Sequence, residues 1–229
     1  MAQTRVKLCG LTRPQDAELG LSLGAWALGL IFYAGSPRRC SPAAAREISA
    51  LSRRRLALCG VWVNAPLDEV IGTADGLGLS HVQLHGDEGP AYCAEVARRT
   101  GCRVIKAVAV RTRADLQALR AYPTDLHLLD AAAPGLRGGT GRSFDWKLAS
   151  AHAGPIPVVL SGGLRSENVA DGIRAVRPWA VDTASGTESA PGIKDAERVQ
   201  RFFGAVAEAD AEAPDAAGAA TPARAETPA

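Results

Sequence analysis

The sequence predicts one α/β domain, a single (β/α)8 TIM barrel, from three observations. Short apolar runs alternate along the chain with segments of helical pattern, which is typical of βαβ units and a parallel sheet. Eight such units occur within about 200 residues, the small end of the size range of these barrels. No GxGxxG turn follows the first strand, which disfavours the alternative of an open doubly wound sheet.

Each predicted strand is a short run that suits a buried sheet. In the first, Val6 and Leu8 alternate with Lys7 and Cys9, and Gly10 then releases the chain. The complete set is RVKLC (5–9), WALGLIF (26–32), LALCGVWV (56–63), HVQLH (81–85), RVIKAVAV (103–110), LHLLD (126–130), PVVLS (157–161) and WAVDT (179–183).

Helical segments lie between these strands, and several have recognisable starts. Pro14 and Pro42 suit the first turn of a helix, and Ser41 and Asp68 suit its N-cap. The clearest segments are PQDAELGLSLG, SPAAAREISALSRR, LDEVIGTADG, PAYCAEVARRTG and RSENVADGIRAV. We expect the barrel domain to cover residues 1–205.

The chain from Gly204 onward differs in composition, with 12 alanines in 26 residues together with prolines and acids. A segment with so few large apolar side chains cannot bury enough surface to offset the entropy cost of ordering it. We therefore expect residues 206–229 to form a disordered tail. The alternative is a helical extension as far as about Ala213, because alanine and glutamate favour helix. Pro214 is incompatible with its continuation.

Composition and charge limit the classes of function. The net charge is +2, so neither nucleic acid nor a membrane surface is an expected partner. Residues 204–229 carry five acids and one arginine, a net of −4, which leaves +6 on residues 1–203, suited to an anionic small molecule. Five widely spaced cysteines without a CxxC pair are typical of reduced thiols and not of a zinc site. With no apolar run typical of a signal peptide or a membrane span, we expect a cytoplasmic protein.

In barrels of this type the active site lies in the loops that follow the strands. The residues at those positions that can carry chemistry are Cys9, Arg38, His85, Asp130, Ser161–Gly163 and Asp182–Gly186. Asp130 ends an apolar strand, where a carboxylate is costly unless it is paired or functional, so a structural cap and a catalytic role both stay open. Taken singly, Cys9 is typical of a packing residue, His85 of a structural hydrogen bond and Arg38 of a solvated charge.

Two glycine-containing loops indicate a phosphate site. SGGL (161–164) follows the seventh strand and ASGTE (184–188) the eighth, the usual place for phosphate in such barrels. Either loop alone is typical of a tight turn, but the two together favour a phosphate near Gly162, Gly163, Ser185 and Gly186, where backbone N–H groups can approach an anion. The loop after the sixth strand, AAAPGLRGGTGRS, is long and glycine-rich, as in loops that cover a substrate.

Six segments together resemble one family, phosphoribosylanthranilate isomerase of tryptophan biosynthesis. They are KLCGLT, GLIFYAGSPRRCSP, VQLHGDE, LLDAAAPGLRGGTGRSFDW, LSGGLRSENV and VDTASGTESAPGIKD, in the family's order between about Val6 and Phe203. The chain departs from the family at Ala184, where a serine is common, and at Arg39–Cys40, where an aromatic–aliphatic pair is more usual.

The resemblance implies an Amadori rearrangement of N-(5-phosphoribosyl)anthranilate to the 1-amino-ketose. It implies that Cys9 is the general base, Asp130 the general acid and Arg38 the residue that holds the anthranilate. It also implies that the SGGL and SGTE loops bind the phosphate. We further expect His85 and Asp182 to contact the substrate, and we expect no metal and no organic cofactor. The expected oligomeric state is a monomer or a homodimer.

The rearrangement needs an acid and a base of this kind. Ring opening leaves charge on the furanose oxygen, so an acid must protonate it, and Asp130 must therefore carry a proton at the start. The resulting iminium acidifies the neighbouring C–H bond, and a thiolate is a base of suitable strength to remove that proton.

Three alternative functions stay open. One is a phosphosugar-binding barrel without catalysis, in which Cys9 and Asp130 are structural. Another is a hydrolase with a Cys9 nucleophile, for which His85 alone among the histidines stands at the C-terminal end of a predicted strand. The third is the related isomerase that acts on the aminoaldose of histidine synthesis, but such enzymes use paired aspartates, and a cysteine favours the anthranilate substrate.

Overall fold

The computed structural model describes residues 3–53, 55–131 and 146–212. It confirms the predicted fold: eight parallel strands hydrogen-bond in chain order and close into a barrel. Pairing of β1 with β8 closes the ring, with Lys7 opposite Asp182. The barrel strands are β1 (Arg5–Cys9), β2 (Ala27–Ile31), β3 (Ala57–Trp62), β4 (His81–Leu84), β5 (Arg103–Val110), β6 (Leu126–Ala131), β7 (Val158–Leu160) and β8 (Ala180–Thr183).

Helices lie between successive strands and cover the outside of the barrel. They are α1 (Pro14–Ser22), α2 (Pro42–Ser52), α3 (Leu67–Leu77), α4 (Pro90–Thr100), α5 (Arg113–Ala118), α6 (Trp146–Ala149), α7 (Val169–Val176) and α8 (Ala196–Glu212). The predicted cap Ser41 accepts a hydrogen bond from Ala44 N, whereas Asp68 lies inside α3 and Pro66 is the residue before that helix. A proline occupies the first turn of α1, α2 and α4.

The two faces of β1 show how the sequence builds the barrel. Val6 and Leu8 point outward into the apolar layer beneath the helices, and Leu8 is fully buried. Burying a side chain of that size contributes roughly 1.5–3 kcal/mol. Lys7 and Cys9 point into the barrel, because side chains alternate along a strand. The same alternation therefore supplies both the core and the residues below the barrel mouth.

A small hairpin after β8 was not predicted. It consists of β9 (Glu188–Ala190) and β10 (Ile193–Lys194), which pair antiparallel, with Lys194 opposite Glu188. The 3-10 turn Ser185–Thr187 connects it to β8. Strands of two and three residues are too short to produce a recognisable alternation in the sequence.

Helix α8 corrects the expectation for the tail. The chain was expected to be disordered from residue 206, but the helix continues to Glu212, and Val206 and Ala209 are buried against the barrel. Asp210 accepts hydrogen bonds from Thr4 N (2.7 Å) and Thr4 Oγ1 (2.6 Å), which fastens the helix to the start of β1. The structure therefore agrees with the alternative, a helical extension, as far as Glu212. The helix continues because one of its faces is apolar and packs on the barrel. Residues 213–229 lie outside the described residues.

One further segment that the sequence singled out is also not described by the structure. The glycine-rich loop after β6, residues 132–145, lies outside the described residues. Within the described ranges, no helix combines the length and apolarity that crossing a membrane requires.

Candidate active site

The C-terminal ends of the strands surround a cavity of about 510 Å³. Eight of the nine predicted site residues line it: Cys9, Arg38, His85, Asp130, Gly162, Gly163, Asp182 and Ser185. A larger cavity of about 950 Å³ lies at the opposite end, beside Arg5 and Trp179, and none of the predicted residues lines it. Because the chemistry-bearing side chains converge on the smaller cavity, we take that one as the candidate active site.

Cys9 ends β1 and is 5% exposed at the floor of the cavity. It fits there because its neighbour on β2 is Gly29: a Cβ on Gly29 would lie 2.6 Å from Cys9 Sγ. Burial raises the pKa of the Cys9 thiol, and the nearby Lys7 ammonium opposes that rise. The resting group is therefore a neutral thiol with a cation close by.

Lys7 lies two residues before Cys9 on the same inward face and is completely buried. Its Nζ donates to Asp182 Oδ1 at 2.7 Å, and Ser161 Oγ donates to Asp182 Oδ2 at 3.0 Å. Asp182 therefore neutralises Lys7, although it also lines the cavity. Lys7 was not among the expected site residues, although a lysine within an apolar strand indicates a buried partner of opposite charge.

Asp130, at the end of β6, is 5% exposed and contacts His85. The distance from His85 Nε2 to Asp130 Oδ2 is 3.1 Å, and His85 Nδ1 lies 3.1 Å from Gln83 Nε2. The amide nitrogen of Gln83 is a donor, so Nδ1 accepts and the ring proton is assigned to Nε2, facing Asp130. From the sequence alone, His85 was typical of a structural hydrogen bond, and the structure shows that its partner is Asp130, the candidate acid.

The loops after β7 and β8 meet as expected from the sequence. Gly162 (φ 94°) and Gly163 (φ 64°) both have left-handed backbone conformations that suit glycine. Gly186 does not line the cavity; it packs on the backbone oxygen of Leu164 so closely that a Cβ would overlap it. Thr183 Oγ1 donates to the same oxygen at 3.0 Å. Gly186 therefore joins the two loops, while the cavity wall itself includes Gly162, Gly163 and Ser185.

Arg38 reaches the cavity from the loop after β2, but it is not a free surface charge. Its Nε lies 2.9 Å from both carboxylate oxygens of Glu188, and its Nη2 lies 2.8 Å from Oε2. Glu188 belongs to the ASGTE segment that was expected to bind phosphate. Its contact with Arg38, 150 positions away in the chain, leaves no local pattern in the sequence.

The side chains that could bind a metal ion are dispersed over the described part of the chain. Among the residues that the structure describes, no group of three or more His, Cys, Asp or Glu side chains could hold an ion. All five cysteines are free and buried.

Comparisons with known proteins agree with the fold and with the six sequence segments. The family model of N-(5'-phosphoribosyl)anthranilate (PRA) isomerase matches residues 6–205. The N-(5'-phosphoribosyl)anthranilate isomerase of Geobacter sp. (strain M21) is 47% identical over 199 residues, which are 87% of this chain and 96% of the relative.

Solved structures give the same result. The crystal structure of phosphoribosyl anthranilate isomerase from Thermotoga maritima is 38% identical, with a TM-score of 0.83 over 90% of this chain and 100% of that one. A phosphoribosyl anthranilate isomerase in complex with reduced 1-(o-carboxyphenylamino)-1-deoxyribulose 5-phosphate is 37% identical, with a TM-score of 0.79 and the same coverage. The chain therefore belongs to the family of N-(5'-phosphoribosyl)anthranilate isomerases, enzymes of tryptophan biosynthesis.

Proposed function

We propose that this chain isomerises N-(5-phosphoribosyl)anthranilate to 1-(2-carboxyphenylamino)-1-deoxyribulose 5-phosphate by general acid–base catalysis, with Cys9 as base and Asp130 as acid. The observation that carries the assignment of roles is that β1 and β6 deliver these two buried side chains to one cavity. The strands are not neighbours in the barrel, so the groups can act on a ribose from different sides.

The acid step opens the ring. Asp130 gives its proton to the furanose oxygen as the C1'–O bond breaks, and the nitrogen lone pair forms the C1'=N iminium. The Asp130 carboxylate left behind accepts the Nε2–H of His85, which Gln83 holds in orientation. His85 thereby acts through Asp130, and it also remains a candidate for substrate contact because it lines the cavity.

The base step removes the C2' proton. The Cys9 thiol, which lines the cavity, first loses its own proton to solvent. The resulting thiolate takes the C2' proton, and the C–H electrons form the C1'=C2' bond of an enaminol while the iminium nitrogen recovers its lone pair. The enaminol then gains a proton at C1' and loses one from its hydroxyl, which yields the ketone. Because burial raises the pKa of the Cys9 thiol, its thiolate is a strong base once formed, and the Lys7 ammonium favours its formation.

The substrate carries an anionic group at each end, and a different part of the cavity binds each of them. Backbone N–H groups around Gly162, Gly163 and Ser185 bind the phosphate, and Gly186 supports them through its contact with the loop of Leu164. Arg38 binds the aromatic carboxylate, because a planar guanidinium suits two parallel hydrogen bonds. Asp182 neutralises Lys7 below this site. Both of its carboxylate oxygens already accept hydrogen bonds, from Lys7 and Ser161, so it is the predicted binding residue least able to bind substrate.

The test is an assay with freshly made phosphoribosylanthranilate, following the loss of its fluorescence. Cys9→Ser keeps the size of the side chain but not its acidity, and Asp130→Asn removes the proton donor. Each should lower kcat by at least about 10²-fold without loss of folding. Retained activity in Cys9→Ser would make Cys9 a packing residue, and a covalent adduct at Cys9 after turnover would favour the hydrolase instead.

The remaining expectations concern surroundings and assembly. We propose a cytoplasmic location, which the five free cysteines support, and a monomer or homodimer, which light scattering coupled to gel filtration would decide. One similar structure is of monomers generated from the dimeric phosphoribosylanthranilate isomerase of Thermotoga maritima. The expected independence of metals and cofactors predicts full activity after dialysis against a chelator.

A further inference from the structure

The β9–β10 hairpin brings a buried carboxylate to the rim of the candidate active site. Glu188 is 5% exposed, and both of its oxygens lie within hydrogen-bond distance of the Arg38 guanidinium. A carboxylate at such a depth is costly unless cations accompany it. Two cations accompany Glu188: the Arg38 guanidinium and the Lys194 ammonium, whose Nζ lies 3.4 Å from Glu188 Oε1.

Lys194 connects this carboxylate to the barrel itself. Its side chain is completely buried, and its Nζ donates to the carbonyl oxygen of Ala184, just after β8, at 2.9 Å. Its backbone N–H donates to Asp16 Oδ2, and its carbonyl accepts from Arg13 Nη2, both at 3.2 Å. Lys194, which pairs with Glu188 in the hairpin, thus ties this part of the hairpin to the end of β8 and to the start of α1.

The aliphatic part of the Arg38 side chain is also closely packed. A Cβ on Gly10 would lie 2.9 Å from Arg38 Cδ, and a Cβ on Gly192 would lie 3.7 Å from Arg38 Cα. Two glycines from different loops therefore let the arginine pass between them. The Thr12 hydroxyl also donates to the Gly192 carbonyl, which ties these two loops together.

The contacts with Glu188 leave one part of the guanidinium available. Nε and Nη2 bind the carboxylate, whereas Nη1 has no hydrogen-bond partner within residues 3–53, 55–131 and 146–212. Arg38 and Lys194 carry two positive charges against the one negative charge of Glu188, so the group keeps a charge of +1. An anionic part of a ligand would complete its neutralisation.

We propose that Glu188 is a positioning residue for substrate recognition: with Lys194, it fixes the Arg38 guanidinium so that its unoccupied edge binds the aromatic carboxylate. This inference rests on the proposed function, in which Arg38 binds that group. A flexible arginine would lose side-chain entropy on binding, and Glu188 removes that cost beforehand. Glu188 itself does not touch the substrate.

The test compares two stable ligands by equilibrium titration: the reduced product analogue, and the same compound without its carboxylate. The wild-type protein should prefer the carboxylated ligand. Glu188→Gln keeps the shape but removes the charge that orients Arg38, and it should reduce this preference at least about tenfold, as expected for breaking a buried pair. Glu188→Asp, which keeps the charge but shortens its reach, should have an intermediate effect and serves if the glutamine variant does not fold.

Three further proteins make the result decisive. Arg38→Lys should lose the same preference, and the double variant Arg38→Lys/Glu188→Gln should lose little more, because coupled residues are not additive. Glu95→Gln is the matched control, since Glu95 binds Arg98 on the exposed face of α4, and its preference should equal that of the wild type.

The outcomes separate the two hypotheses. If Glu188→Gln weakens both ligands equally, Glu188 is merely structural and the inference is overturned. If Arg38→Lys keeps the full preference for the carboxylated ligand, the assignment of Arg38 in the proposed function is wrong instead.

Discussion

The Cys9 thiol rests directly against the backbone of Gly29, its neighbour in the barrel. A Cβ at Gly29 would lie 2.6 Å from Cys9 Sγ and 3.1 Å from its Cα, distances at which Cys9 has to move. The position of the proposed base therefore depends on a glycine in β2, a strand that contributes no catalytic group of its own.

We predict that Gly29→Ala displaces Cys9 and lowers kcat by at least about tenfold, because a shift of about 1 Å in a reacting group can cost about 10²-fold. Overpacking should also lower the free energy of unfolding by about 1–3 kcal/mol. Steady-state kinetics and urea unfolding measure the two effects. Gly72→Ala in α3, where nothing lies within 4 Å of the added Cβ, should leave kcat unchanged. An unchanged kcat in Gly29→Ala would show that the thiol position is not critical.

We predict that Gly163→Val raises KM strongly and weakens the binding of inorganic phosphate. A branched side chain would occlude the backbone N–H groups, and the φ of 64° is also unfavourable for valine. Gly78→Val separates these causes, because Gly78 has a φ of 61° at the end of α3 but no neighbour within 4 Å. The control should lose stability and keep its KM. Normal phosphate binding by Gly163→Val would refute the assignment of the phosphate site.

We predict that Asp210→Ala destabilises the barrel while leaving kcat/KM unchanged. The substitution removes both hydrogen bonds to Thr4, which should cost about 1–3 kcal/mol of unfolding free energy. Glu208→Ala, an exposed position on the same helix, is the comparison and should be nearly neutral. Equal stability of the two variants would mean that the end of α8 does not fasten the barrel.

We predict that His81 makes the protein less stable in mild acid. Burial, helped by the charge of Arg103, lowers the pKa of His81 to about 4 from an ordinary value of 6.5. Between these values the unfolded chain binds the extra proton, so stability is complete above about pH 6.5 and falls toward pH 4, by about 3 kcal/mol in total. Urea unfolding of wild type and His81→Gln across this range measures the effect. The variant should show a shallower decline, and parallel curves would exclude this role for His81.

The sequence by itself determined the eight strands and their order, because apolar alternation and helix starts are local patterns. It also placed Cys9, His85 and Asp130 at strand ends, and these three residues line one cavity because all such ends meet at one rim of a parallel barrel. The extent of α8 escaped it, since its alanine-rich last turns resemble a tail in composition and differ from one only by packing on the barrel.

Tertiary structure alone decided the partners of these residues. Arg38 with Glu188, Lys7 with Asp182 and Cys9 with Gly29 are contacts between different strands and loops. No local pattern encodes such pairs, because the distance between two side chains at the rim depends on register and closure of the whole barrel. The sequence therefore indicated which residue types line the cavity, whereas the contacts that position these residues are a property of the closed fold.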